Sequence, residues 1–231
     1  MQNDKTVVLI HGYNKDESDM FTLKSNLTDL GYNCVSINLP TRFGTLDDCN
    51  KVLQSELSKM LPSMSEQQQI YLVGHSMGGL IIRSYLAKNS FPNLGRCVLI
   101  APPNRGSKLA DLAHKIFPPV SKIFKPLSDL KTNGTQIPKP VSIPCPEIGV
   151  IAGNKSNLLL GIFLPNENDG RVEVDSTKLE GMKDFIVKRY GHKEIHHKYD
   201  IAILIDNFLR NGSFQDQDKL HDESKYGKTR A

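Results

Sequence analysis

Residues Gly74-His75-Ser76-Met77-Gly78-Gly79 constrain the fold more than any other stretch of the chain. They follow the apolar run Ile70-Tyr71-Leu72-Val73 and precede Leu80-Ile81-Ile82-Arg83-Ser84-Tyr85-Leu86, which has helical spacing. That order predicts a strand, a sharp turn with a serine at its tip, and a helix. A turn this tight puts the serine backbone into a strained conformation. It also crowds the residues two before and two after, so glycine suits positions 74 and 78. The outcome is a hydroxyl held clear of a sheet, with a helix N-terminus beneath it that favours a negative oxygen. Ser76 therefore reads as a nucleophile.

The rest of the chain alternates short apolar runs with amphipathic stretches. Strands are expected at 6–10, 34–39, 69–73, 96–101, 147–152 and 184–190, and helices near 18–30, 45–60, 77–88, 107–130 and 199–211. Continuous apolar runs are expected of parallel strands covered on both faces. Alternation of strand and helix then gives an α/β fold, an open and mostly parallel sheet with right-handed crossovers. Ligands of such sheets bind at the carboxyl ends of the strands, where the Ser76 turn and the 39–44 loop lie.

At 231 residues, with 39% hydrophobic and 23% charged residues, the chain fits one domain over 1–212, followed by a polar tail, 213–231, expected to be disordered. Residues 102–146, rich in proline and lysine, are read either as a short cap carrying Phe117, Phe124 and Leu127 or as a crossover helix with a long loop. A net charge of +4 with basic and acidic residues interspersed lacks the basic stripe of a nucleic-acid binder and leaves contact with a membrane surface open. Cys34, Cys49, Cys97 and Cys145 are widely spaced, so neither a disulfide framework nor a zinc site is expected. No apolar run approaches membrane-spanning length, and residues 1–5 lead straight into a strand with no secretory signal. With Met1 as the native start, a cytoplasmic location is expected.

A serine hydroxyl needs a base within hydrogen-bond reach and an acid to orient that base. Both are sought in loops after later strands. His11 and His75 belong to turns, while His114 and His221 fall in the 102–146 segment and the tail, which leaves His192, His196 and His197. His192 lies directly between the last strand and the last helix and is the preferred base, with His196 the alternative. For the acid, Asp169 sits on the Asp169-Gly170 turn, between nucleophile and base in chain order, with Asp175 in reserve and Asp184 read as a strand boundary. The bland reading of Asp169 is a turn aspartate bonding its own backbone. The backbone N–H groups of Met77 and of Tyr13, in the loop after the first strand, are the candidate oxyanion donors, and His11 reads as a brace for that loop.

Together Ile10-His11-Gly12, Gly74–Gly79, Ala101–Ser107, Asn168–Val172, Gly191-His192 and the stretch 175–182 resemble the α/β-hydrolase superfamily, specifically its small bacterial lipase- and esterase-like members, over residues 6–211. The resemblance implies a reduced α/β-hydrolase sheet of six to seven strands with helices on both faces and a short cap, because the first hairpin of larger members is missing. It implies Ser76, Asp169 and His192 as the triad of a carboxylic-ester hydrolase acting through an acyl-enzyme, with no metal or organic cofactor. A small-molecule or lipid-like ester is the expected substrate. The run 158–164 is read as bordering the acyl site or as core. Thioesterase, amidase and acyltransferase chemistry on the same triad, or a non-catalytic binding module, remain alternative readings.

Overall fold

The computed structural model describes residues 5–63, 65, 67–91, 93–106, 146–156 and 164–215. The expected helix at 107–130, the cap residues Phe117, Phe124 and Leu127, residues 158–163 of the apolar run, Cys145, His114 and most of the tail lie outside these residues. Six strands form one sheet: β1 (Lys5–Ile10), β2 (Asn33–Ile37), β3 (Gln69–His75), β4 (Leu94–Ile100), β5 (Ile148–Gly153) and β6 (Asp184–Lys188). Their order is β2-β1-β3-β4-β5-β6, and every neighbouring pair is parallel. The sheet is thus parallel throughout the described residues, not merely mostly so.

Alternate side chains of each strand enter opposite faces, and both faces are apolar. Val8, Ile10, Ile70, Leu72, Cys97 and Leu99 pack on one side with helices α2 (Leu46–Met60) and α3 (Met77–Leu86). Val7, Leu9, Tyr71, Val73, Val98 and Ile100 pack on the other with α1 (Phe21–Asp29) and α5 (Tyr199–Asn211). A further short helix, α4 (Val174–Thr177), lies between β5 and β6. The result is three layers, helix–sheet–helix, and Cys34, Cys49 and Cys97 are buried within it.

Local chemistry sets several element ends. Thr45 caps α2: its hydroxyl accepts from the Asp48 N–H at 3.1 Å, and the Asp48 carboxylate accepts from the Thr45 N–H at 2.9 Å. Gly212, at φ 74°, closes α5 in the left-handed region. The chain stays packed beyond 212, which moves the expected start of the tail. Phe214 is buried and stacks on Phe208 at 5.0 Å, and its N–H donates to Asp184 at 2.7 Å. An aromatic side chain with this much apolar surface to bury overrides the polarity of its neighbours.

The first residues of the 102–146 segment are likewise pinned. Asn104 donates to the Thr177 carbonyl at 2.7 Å and accepts from Arg83 at 3.0 Å, and the Arg105 N–H donates to the Ser176 carbonyl at 3.0 Å. Residues 101–106 of one stretch singled out in the sequence and the 175–182 stretch therefore hold each other. Burial lowers the Arg83 pKa to about 10.

Strand order reverses between β1 and β3, because the chain leaves β1 toward β2 and returns to β3 on the other side. A crevice opens at the carboxyl ends of strands flanking such a point. Gly12 follows β1 there and Ser76 follows β3.

Candidate active site

Ser76 is the pivot of the β3–α3 turn, with φ 54° and ψ −121°. A non-glycine residue at positive φ is strained, and here the surroundings enforce it. The Ser76 N–H donates to the Ile100 carbonyl at 2.8 Å, and its carbonyl accepts from Gly79 N–H at 3.0 Å. A Cβ on Gly74 would meet the Gly78 backbone at 2.6 Å, and one on Gly78 would meet the Ile10 carbonyl oxygen at 2.3 Å. Both glycines are required by backbone contacts that cannot move without opening the sheet.

His192, in the loop after β6, reaches across to the serine: its Nε2 lies 2.9 Å from Ser76 Oγ, and its Nδ1 lies 2.7 Å from Asp169 Oδ2. An ionised carboxylate can only accept, so Nδ1 carries the proton and Nε2 faces the hydroxyl with a lone pair. An imidazole so held can receive the serine proton. Asp169 is fully buried, and its other oxygen accepts from the Arg171 and Val172 N–H groups at 3.0 and 2.8 Å. The turn-aspartate geometry is therefore present together with the contact to His192, each using one carboxylate oxygen. Gly170, at φ 93°, turns the chain so that both occur, and the His192 N–H donates to the Asp169 carbonyl at 2.9 Å. Of the reserve candidates, Asp175 is exposed and paired with Lys178 at 2.8 Å. His196 is buried, with its Nε2 3.2 Å from the Asp19 carbonyl oxygen instead of at the serine.

The loop after β1 forms the opposite wall. A Cβ on Gly12 would lie 3.2 Å from Ser76 Cβ, so glycine permits the loop to pass beside the serine. His11 braces it. The Leu39 N–H donates to His11 Nε2 at 3.0 Å, which leaves Nδ1 as the donor to the Gly12 carbonyl at 3.0 Å. Burial lowers the His11 pKa and keeps the ring neutral. Tyr13 follows, lining an open cleft with Ser76, His192, Lys15, Arg171 and Lys193. Met77 is the first residue of α3, where backbone N–H groups have no intrahelical partner.

Two participants were not picked out in the sequence. His75, read there as a turn residue, donates from Nε2 to the His192 carbonyl at 3.0 Å. It stacks on His196 with ring centroids 3.9 Å apart. Burial, and then the neighbouring imidazoles, hold its pKa well below the ordinary histidine value. Asp19, in the 3-10 turn Glu17–Met20, borders the same cleft. Burial opposes its charge, but contacts to His196 and Lys15 outweigh that and hold its carboxyl well below the usual range. Neither residue carries a local pattern; their partners lie far away in the chain.

The profile of the alpha/beta hydrolase family matches residues 7–144, more than half of the chain. This chain belongs to the alpha/beta hydrolase family. Hydrolase structures of similar fold include the lipase BlEst2 of Bacillus licheniformis in its mature form, at 20% identity and TM-score 0.75 over 92% of this chain and 94% of that one. The propeptide form of the same lipase matches over 91% of this chain and 50% of that longer chain. EstA from Clostridium botulinum is 14% identical with TM-score 0.60, over 92% of this chain and 88% of that one. The metagenomic carboxyl esterase MGS0156 is 15% identical with TM-score 0.62, over 83% and 65%. These likenesses concern the fold of the hydrolase. No curated protein sequence matches the chain. Among the described residues, no helix is long and apolar enough to cross a membrane.

Proposed function

We propose that this hydrolase cleaves carboxylic esters through Ser76, His192 and Asp169. The observation that carries the reading is the unbroken line of hydrogen bonds from buried Asp169 through His192 to the serine of the strained turn, at 2.7 and 2.9 Å. His192 takes the Ser76 proton as the oxygen attacks the ester carbonyl. Asp169 fixes the tautomer and stabilises the imidazolium that forms. The N–H groups of Met77 and Tyr13 receive the oxyanion, the donors whose placement matters most in such a step. His192 then protonates the departing alcohol. It next activates a water, which releases the acid from the Ser76 acyl-enzyme. No step draws on a metal or an organic cofactor.

Proteins of similar fold that are described as lipase or carboxyl esterase support an ester as substrate. A small or lipid-like acyl ester fits an open cleft, and contact with a lipid surface is part of the proposal. The test is a series of p-nitrophenyl esters from acetate to palmitate. Wild-type protein is expected to hydrolyse part of the series, and Ser76→Ala to lose at least about 10³-fold in kcat/KM while keeping its circular dichroism spectrum. Wild-type rates in Ser76→Ala would refute the mechanism, and a flat absence of activity across the series would refute the ester assignment.

A further inference from the structure

Behind His192, three side chains converge from two turns. Asp19 comes from the 3-10 turn after β1; His196 and His197 come from the 3-10 turn Ile195–His197. One donor atom from each lies within 4.8 Å of the other two. His196 Nε2 is 3.3 Å from Asp19 Oδ2 and 3.2 Å from the Asp19 carbonyl oxygen, and His197 Nε2 is 3.3 Å from that same carbonyl. A tetrahedral ion with bonds of about 2.0–2.1 Å spaces its ligands by about 3.3–3.4 Å, a spacing that the Asp19 Oδ2–His196 Nε2 pair already has.

A second, independent observation points to a ligand. The Asp19 side chain is 9% exposed, and its Oδ2 has only the 3.3 Å approach of His196 Nε2, which also faces the Asp19 carbonyl, whereas Oδ1 is held by Lys15 at 2.6 Å. A buried carboxylate oxygen without a donor is costly. Its nearest buried neighbour in the other direction makes matters worse. His75 uses Nε2 to donate to His192, so in its neutral form Nδ1 is bare, and that atom is also unpartnered, 3.9 Å from Asp19 Oδ2. Two lone pairs face each other across a gap bordered by two further imidazoles. A cation on Asp19 Oδ2 removes the carboxylate's share of that conflict. Lys15, with a side chain 49% exposed, occupies only the outer oxygen.

We propose that Asp19, His196 and His197 form a binding site for a borderline divalent transition metal, with Zn²⁺ as the ion that suits one carboxylate and two imidazoles. The cysteines, whose spacing argued against zinc, take no part. Binding requires the two rings to give up the hydrogen bonds that Nε2 donates to the Asp19 carbonyl and to present bare Nε2 atoms; the proton moves to Nδ1, which in His196 is unpartnered in this structure. The ion ties the loop after β1, which carries Tyr13, to the loop that carries His192. It thereby braces both walls at the part of the cleft that Asp19 and His196 line, and the site stands whatever the substrate is.

The test is equilibrium binding of Zn²⁺ alone to chelator-stripped full-length protein, in competition with a chromophoric zinc indicator and without substrate. Wild type is expected to bind one equivalent at sub-micromolar affinity and to gain about 5 °C in Tm with excess zinc. Asp19→Asn and His197→Ala should each weaken binding by at least about 10-fold, the scale on which even outer partners of a metal act. His197 is exposed, so that variant tests the site without risk to the core. His192→Ala should bind as wild type does. Absence of stoichiometric binding by wild type would overturn the proposal, as would wild-type affinity in His197→Ala or loss of the site in His192→Ala.

Discussion

Replacing Ser76 by glycine should make the protein more stable than replacing it by alanine, although both remove the hydroxyl. Ser76 sits at φ 54° and ψ −121°, a region that side-chain-bearing residues avoid. Holding a residue there costs about 1–3 kcal/mol. Alanine keeps the Cβ and therefore keeps the strain, while glycine removes it. Against this, glycine adds freedom to the unfolded chain worth about 0.5–1 kcal/mol. The difference favours Ser76→Gly over Ser76→Ala by about 1 kcal/mol, or about 2–4 °C in Tm for a domain of this size. Scanning calorimetry of the two variants, with urea titration as a second measure, reads this directly. The urea m-value should be the same in both, since the surface exposed on unfolding is unchanged. A glycine variant no more stable than the alanine variant would show that the turn is not strained, and the account of why Ser76 stands clear of the sheet would fail.

Other outcomes follow from the same geometry. Gly78→Ala places a Cβ 2.3 Å from the Ile10 carbonyl oxygen and 2.9 Å from that of His11, both backbone. It should cost about 3 kcal/mol or more by urea denaturation; a near-neutral effect would mean that β1 and α3 pack less closely than described. Asp169→Asn should lower kcat about 10⁴-fold on p-nitrophenyl esters with the fold retained, because an amide facing Nδ1 no longer fixes the productive tautomer; a loss below 10-fold would remove Asp169 from the mechanism. Glu147 has its pKa lowered from 4.5, first by the hydrogen bond from Arg96 and then by Lys183. Its stabilisation is thus present above about pH 4.5 and fades as pH falls through the lowered folded-state pKa, so Glu147→Gln should be less stable than wild type at pH 7 and the gap should close in acid. High salt should narrow the gap, since the pair is partly exposed; a gap that widened in acid would contradict the sign.

What was legible in the sequence follows from which forces act locally. The central strands could be read because both their faces are buried, so Val7-Val8-Leu9-Ile10 and Val98-Leu99-Ile100 appear as unbroken apolar runs. The turn at Ser76 could be read because its steric demands fall on residues only two positions away. Asp169 and His192 could be placed by chain order, and their hydrogen bonds then came with the turn at Gly170. The four-residue α4 was not foreseen: Val174–Thr177 is too short to show a helical period, and it is held by Asn104 and Arg105, about 70 residues earlier. The contacts of His75 and Asp19 were beyond reach for the same reason. Asp19 meets His196 across 177 positions, and no local pattern reports such a meeting. Strand ends shifted by one or two residues, as at β2, which ends at Ile37, and at β6, which ends at Lys188.

The central claim is that Ser76 is a nucleophile driven by His192. It is tested most directly by reacting the protein with a fluorophosphonate and locating the adduct by intact-mass and peptide mass spectrometry. The account predicts one adduct per chain, on Ser76, formed at least about 10²-fold more slowly in His192→Ala. An adduct on another residue, or labelling of Ser76 at an undiminished rate without His192, would contradict it.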